Sequence, residues 1–309
     1  MSKELNKILD LIKKKDLNSA KELCYQVKNL EDNFHFQNTF GYLLYEFGEI
    51  NEAIKKWQIT VRMNPEYFYA YSNLGNAFEK IGKFKNAIQN FNKAIEIKPD
   101  YFEAYYGLGN VQFKMSKLED ALSNLDKAIQ LRPDYQPALK SKLMLQRKMG
   151  RSQEALETLN LLISNDPTDA GLLFDKGQLL SELGRKNEAI TSYKNTYLLD
   201  QNFPFALGYL VEAKLDNCEW ENIQEEFEEI KKKLAKQEEV CPPLMISNFC
   251  DSPELQSIAA KIWNKKNERS EIIDFNIDDR KETINVAYFS ADFRDHPVSH
   301  LLTNIIEKH

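Results

Sequence analysis

The sequence lacks several things that would have narrowed its class at once. No apolar run approaches the ~20 residues a membrane span needs. The first residues, MSKELNKILDLIKKKD, carry a charge every few positions and read as neither a secretory leader nor a spanning helix. Positive charge is not in surplus: 41 Lys and Arg stand against 47 Asp and Glu, a net charge of -6 and a pI of about 5.5. A general nucleic-acid surface needs a basic footprint, so none is expected. The cysteines are four, Cys24, Cys218, Cys241 and Cys250, irregularly spaced and without a C-x-x-C pair. No histidine lies near them in sequence, which argues against a zinc site. The expectation is a cytoplasmic protein with reduced thiols and neither metal nor membrane contact.

Glycine and proline are also sparse, 11 and 10 in 309 residues, and they are not scattered. Pro65, Pro99, Pro133 and Pro167 recur every 34 residues. With units beginning at 34, 68, 102, 136 and 170, the eighth position reads Gly41, Gly75, Gly109, Leu143 and Gly177. The fifteenth reads Gly48, Gly82, Ser116, Gly150 and Gly184. The twentieth is alanine throughout, Ala53, Ala87, Ala121, Ala155 and Ala189, and the twenty-fourth is large: Trp57, Phe91, Leu125, Leu159 and Tyr193. Each unit therefore has two apolar-periodic stretches around a glycine, which predicts two amphipathic helices and a turn. Small residues at positions eight and twenty permit close helix approach, the glycine relieves the turn, and the proline ends one unit and opens the next. One such unit cannot bury its apolar face alone, so neighbours stack. The pattern resembles the tetratricopeptide repeat over 34–203. Residues 1–33 read as a degenerate first repeat and 204–236 as a degenerate last one. Tyr71, Phe78, Phe91, Tyr105 and Trp57 are expected in the core. The fold class expected is all-α, a right-handed superhelix.

The first helices of such an array usually line its concave side, where protein or peptide partners bind. A carboxylate clamp would need lysine at position five of an early repeat, and that column reads Asn38, Ser72, Tyr106, Lys140 and Phe174. An asparagine ladder at position six has one rung, Asn73. Asn76 and Asn110, at position nine, are further candidates for polar contact, or else meet water and turns. Self-association through the repeats stays open.

Beyond the repeats, 237–283 reads as a connector with one helix, capped by Ser252 with Pro253 at its first position and running through Trp263. INVAYFS, from Ile284, then has the length and apolarity of a buried strand. ADFRDHP follows as a turn, and Leu301, Leu302, Ile305 and Ile306 form one helical face. The stretch 284–309 is expected to be a short β-α unit, the start of an α/β domain. His296 and His300 are four apart and can share a helix face. They read as a metal pair, as ordinary surface or capping residues, or as active-site groups at a strand end with a proton acceptor among them. The metal reading is weakened by the absence of the glutamate of H-E-x-x-H.

LDNCEWENI (215–223), PPLMISNFCDSPELQ (242–256) and VAYFSADFRDHPVSH (286–300), placed after such repeats, resemble the O-linked N-acetylglucosamine transferase family and its SPINDLY-type members. That resemblance implies a metal-independent, nucleotide-sugar-dependent enzyme that glycosylates serine or threonine of proteins guided in by the repeats. It implies a catalytic role for His296, with His300 as neighbour, while Asp292 and Ser299 share the motif without an assigned role. The implied donor is UDP-N-acetylglucosamine or a related sugar nucleotide. Residues 284–309 are too few for two catalytic lobes of ~100–200 residues each. The expectation is therefore an N-terminal portion that binds no cofactor and transfers no sugar by itself. The alternative is a non-catalytic adaptor whose last elements cap the array.

Overall fold

Residues 2–27, 30–247 and 250–266 are described by a computed structural model, and every regular element in them is a helix. They form hairpins in chain order: α1 (Lys3–Lys13) with α2 (Leu17–Gln26), α3 (Phe34–Glu46) with α4 (Ile50–Met63), α5 (Phe68–Lys80) with α6 (Phe84–Ile97), and α7 (Phe102–Lys114) with α8 (Leu118–Leu131). The series continues as α9 (Gln136–Lys148) with α10 (Ser152–Asn165), α11 (Ala170–Glu182) with α12 (Lys186–Leu199), and α13 (Ala206–Asp216) with α14 (Ile223–Ala235). Two helices follow, α15 (Pro243–Ile246) and α16 (Pro253–Lys266). The expected β-α unit, with His296 and His300, lies outside the described residues.

The turn inside each hairpin has one cause. Gly48, Gly82, Ser116, Gly150 and Gly184 all sit in the left-handed region, at φ 80°, 73°, 61°, 70° and 71°. The amide three residues beyond the last helical one reaches back five positions, as in Lys83 N to Phe78 O at 2.8 Å and Lys117 N to Gln112 O at 2.9 Å. This is the Schellman arrangement, which satisfies carbonyls the helix end would leave orphaned. Ser116 adopts it without glycine's freedom, at some cost in strain. Cys218, at the fifteenth position of the unit beginning at 204, does the same at φ 55°.

The helices of a hairpin touch where the column of small residues requires it. A Cβ on Gly75 would come within 2.6 Å of the Phe91 ring, one on Gly41 within 2.7 Å of Trp57 Nε1, and one on Gly177 within 2.5 Å of Tyr193. In repeats one, two, three and five the large residue of position twenty-four thus lies over the missing side chain of position eight. The five alanines of position twenty are fully buried. Repeat four has Leu143 in place of the glycine, and the backbones of α9 and α10 approach over a shorter stretch than in the other four pairs. A buried hydrogen bond, Thr158 Oγ1 to Gln146 Oε1 at 2.8 Å, bridges that pair. Trp57, Phe78 and Phe91 are buried as expected, while Tyr71 and Tyr105 are half-buried at the margin of the core.

The prolines open a turn rather than a helix. Asn64, Lys98, Arg132 and Asp166, each preceding a proline, are extended at φ between -134° and -144°, the geometry a following proline imposes. The next helix starts three residues after the proline, at Phe68, Phe102, Gln136 and Ala170.

At the far end the chain folds back on the last hairpin. Phe205 N donates to Glu239 O at 2.6 Å and Gly208 N to Val240 O at 3.0 Å, so 239–241 crosses the start of α13 and satisfies its free amides. Gly208 allows this: a Cβ there would come within 2.8 Å of Val240 O. Val240, Cys241, Met245 and Ile246 bury themselves against Leu207, Val211, Ile230 and Leu234. Burial pushes the Cys241 thiol up to about 12. Ser252 caps α16, accepting from Leu255 N at 3.4 Å, and the one-turn α15 is an element the sequence reading did not contain. All four cysteines are free thiols.

Candidate peptide-binding groove

Consecutive first helices lie against one another, α3 with α5, α5 with α7 and α7 with α9, whereas the second helices come less close. The array therefore curves with the first helices on its inner face. Positions five and nine of each first helix are i and i+4, one above the other on the same side. The position-nine column runs Tyr42, Asn76, Asn110, Met144, Gln178 and Glu212. Tyr42 is 38% exposed and Met144 55%, and Asn76 is exposed. Asn110 is half-buried and, like Asn76, has no side-chain hydrogen bond assigned among the described residues. The two asparagines sit between a tyrosine and a methionine that water already reaches.

Asn73 differs. Its Nδ2 donates to Asn38 Oδ1 of the preceding repeat at 3.1 Å, and Asn38 O in turn accepts from Trp57 Nε1 at 3.2 Å. This candidate rung is partly committed to holding neighbouring repeats together.

One margin of the groove carries contacts from position twelve of one repeat to position thirteen of the next. Lys80 Nζ lies 4.6 Å from the centre of the Tyr45 ring, Lys114 pairs with Glu79 at 2.9 Å, Lys148 Nζ lies 4.9 Å from the Phe113 ring, and Arg147 approaches Glu182 at 3.7 Å. Four successive rungs thus pair a cation with a ring or a carboxylate, and the last reverses the order of charge. Sequence reasoning missed them, although reading columns twelve and thirteen at the same 34-residue period would have found the residue types. The other margin is aromatic. Tyr67 packs on Phe34 and Tyr69, Tyr101 on Phe68 and Tyr69, and Tyr135 on Phe102 and Tyr106, with ring centres 4.8–5.5 Å apart; all but the tilted Tyr67–Tyr69 pair meet edge-on, a geometry rings prefer. Tyr69 remains 44% exposed.

Toward repeats five and six the groove ends in a cleft of 280 Å³, walled by Tyr193 and Tyr209 and edged by Glu182, Glu212 and Asp216. Burial, and then the charge of Asp216, hold the Glu212 carboxyl above its ordinary value. Burial likewise raises Asp175, against the pull of Arg147 at 3.8 Å. Larger clefts of 380 and 440 Å³ lie at the connector; in the first the polar groups are engaged with one another, Lys233 bonding Gln201 O at 2.7 Å and pairing with Glu238 at 3.5 Å. Among the described residues no set of three metal-ligating side chains converges, and no helix is long and apolar enough to cross a membrane.

Models of the TPR repeat match residues 41–82 and 80–116, and models of the tetratricopeptide repeat match 102–135 and 170–203. Over 41–135 and 170–203 the repeats are tetratricopeptide repeats. Solved structures agree on the fold of this tetratricopeptide array. One is a tetratricopeptide repeat protein from Parabacteroides merdae, 18% identical with a TM-score of 0.50, the match covering 84% of this chain and 98% of that one. Another is the APC/C hetero-tetramer Cut9-Hcn1, 16% identical with a TM-score of 0.52, covering 68% of this chain and 42% of that one. A MamA RS-1 double mutant is 17% identical with a TM-score of 0.50, covering 56% and 97%. No curated protein matches the sequence.

Proposed function

We propose that this chain is a protein-interaction scaffold whose inner face holds an extended segment of a partner protein. The observation that carries the reading is the position-nine column: Asn76 and Asn110 present amides with no assigned side-chain partner between the exposed side chains of Tyr42 and Met144. Paired amides can both donate to and accept from the backbone of an extended peptide, and apolar side chains beside them supply burial. Random peptides displayed on phage, selected against the 309-residue chain, test it. The Asn76→Ala/Asn110→Ala variant is expected to weaken the selected peptides at least ~10-fold, about the loss of one to two hydrogen bonds. Peptides that bind both forms equally would place recognition elsewhere.

The stretch VAYFSADFRDHPVSH supports a finer reading, in which the groove presents protein substrates to a nucleotide-sugar-dependent O-glycosyltransferase. On that reading His296 is the candidate proton acceptor, His300 its neighbour, and UDP-N-acetylglucosamine or a related sugar nucleotide the donor. The test is transfer of radiolabelled sugar from UDP-N-acetylglucosamine to acceptor protein. The native gene product is expected to transfer sugar and to lose that activity in His296→Ala. A native product that neither binds nor turns over a nucleotide sugar would sink the reading.

A further inference from the structure

Positions five and nine, taken together over six repeats, form the floor of the groove. Position five reads Asn38, Ser72, Tyr106, Lys140, Phe174 and Gly208, and position nine Tyr42, Asn76, Asn110, Met144, Gln178 and Glu212. In a chain that is 28% charged, this floor carries two charges, Lys140 in repeat four and Glu212 in repeat six. Charges along the twelve–thirteen margin are largely spent on one another or on rings. Lys140 is exposed and has no ion pair among the described residues. Glu212 faces the cleft beside Tyr209, with Asp216, another carboxylate, close by. Arg147, the cation of that cleft, is shared between Asp175 and Glu182 at 3.8 and 3.7 Å. Each of the two floor charges therefore lacks a counter-ion of its own.

From this charge complementarity we infer that the groove is built for an extended peptide, uncharged along repeats one to three, with an acidic residue opposite Lys140 and a basic residue opposite Glu212. The spacing follows from the array. First helices two repeats apart are separated by roughly 20 Å at ordinary helix-packing distances, and an extended chain rises ~3.3 Å per residue. The acidic and basic residues should stand about six residues apart in the bound segment. Beyond Glu212 the segment cannot continue straight along the floor, because Val240 and Cys241 already cover Gly208.

The inference rests on the groove reading above, and its test separates the two. Fluorescent dodecapeptides of serine, alanine and asparagine would be made with Glu and Lys six apart in both orders, with two Glu, with two Lys, and with neither. Their binding to the 309-residue chain would be followed by anisotropy at 150 mM salt. One mixed-charge order is expected to bind about five-fold tighter than its reverse, the scale of two partly exposed ion pairs. The Lys140→Glu/Glu212→Lys variant is expected to prefer the opposite order by a similar factor. That reversal cannot come from damage to the fold or from the net charge of the protein, which the double exchange leaves unchanged. Equal binding of both orders, no binding by either, or an unaltered preference in the exchanged variant would overturn the inference. Phage-selected peptides that still depend on Asn76 and Asn110 would in that case leave the groove reading standing.

Discussion

Repeat two and the hairpin α13–α14 are built on the same plan with different means. In repeat two Gly75 receives the Phe91 ring, Gly82 makes the turn and Ala87 lies fully buried at the crossing. In α13–α14 the corresponding residues are Val211, Cys218, Ile223 and Phe227. The turn survives, with Cys218 in the left-handed region, but bulky residues hold the two helices apart. The connector then supplies what the second helix cannot: Val240, Cys241, Met245 and Ile246 pack against the hairpin. A largely buried ion pair, Lys214 with Glu226 at 2.6 Å, ties the two helices together beside their turn. The turn is the conserved geometry between these two regions, and close helix approach is the dispensable one, provided other chain fills the gap.

The largest test of this contrast is Phe91→Ala. Phe91 is fully buried over Gly75, and a Cβ on Gly107 of the next repeat would come within 2.4 Å of its ring. Its truncation is expected to cost about 3–5 kcal/mol, read from the midpoint of urea unfolding. Gly208→Val is next. It should displace 239–241 and destabilise the end of the array by about 1–3 kcal/mol, seen as faster hydrogen exchange in 238–246 with little change in 68–135. Loss of protection spread evenly over both regions would mean that the connector supports the entire array.

Smaller effects sharpen the turn argument. Ser116→Gly removes left-handed strain and is expected to stabilise by about 1 kcal/mol, whereas Gly82→Ala should destabilise by about the same amount. Effects of the same sign at both sites would refute the role given to backbone strain. The smallest is electrostatic. The Glu212 carboxyl is raised by burial and by Asp216, so the folded protein holds that proton more tightly than the unfolded chain. Stability from this group is present below the ordinary carboxylate value and is lost as pH rises through the raised one. Glu212→Gln should accordingly match the parent near pH 4, roughly the ordinary glutamate value, and melt higher at pH 7. A difference that shrinks toward neutral pH would contradict the assignment.

Much of the array was legible because its determinants are local and periodic. A glycine every 34 residues marks the turns, and a missing side chain at position eight implies a large one across from it. The fold-back of 239–241 was not legible, because nothing local distinguishes Glu239 or Val240 from any loop, and their partners are amides of α13. The groove was legible in part. Asn76 and Asn110 stand where position nine put them, but Asn73 is engaged by Asn38, a contact that spans 35 residues and needs the superhelix to exist first.

The twelve–thirteen rungs have a consequence for how such an array can be recombined. Each rung joins unlike halves contributed by two neighbours, and the order reverses between Arg147 and Glu182. Repeats of equal length are thus not interchangeable parts. Joining repeat five directly after repeat two would set Glu182 against Glu79, two carboxylates where one cation belongs, at a junction whose core residues would otherwise fit. Duplication or deletion of a unit leaves this margin intact only where each cation still meets a ring or a carboxylate, so the order of the repeats is itself a heritable constraint, written at the edge of the groove rather than in the core.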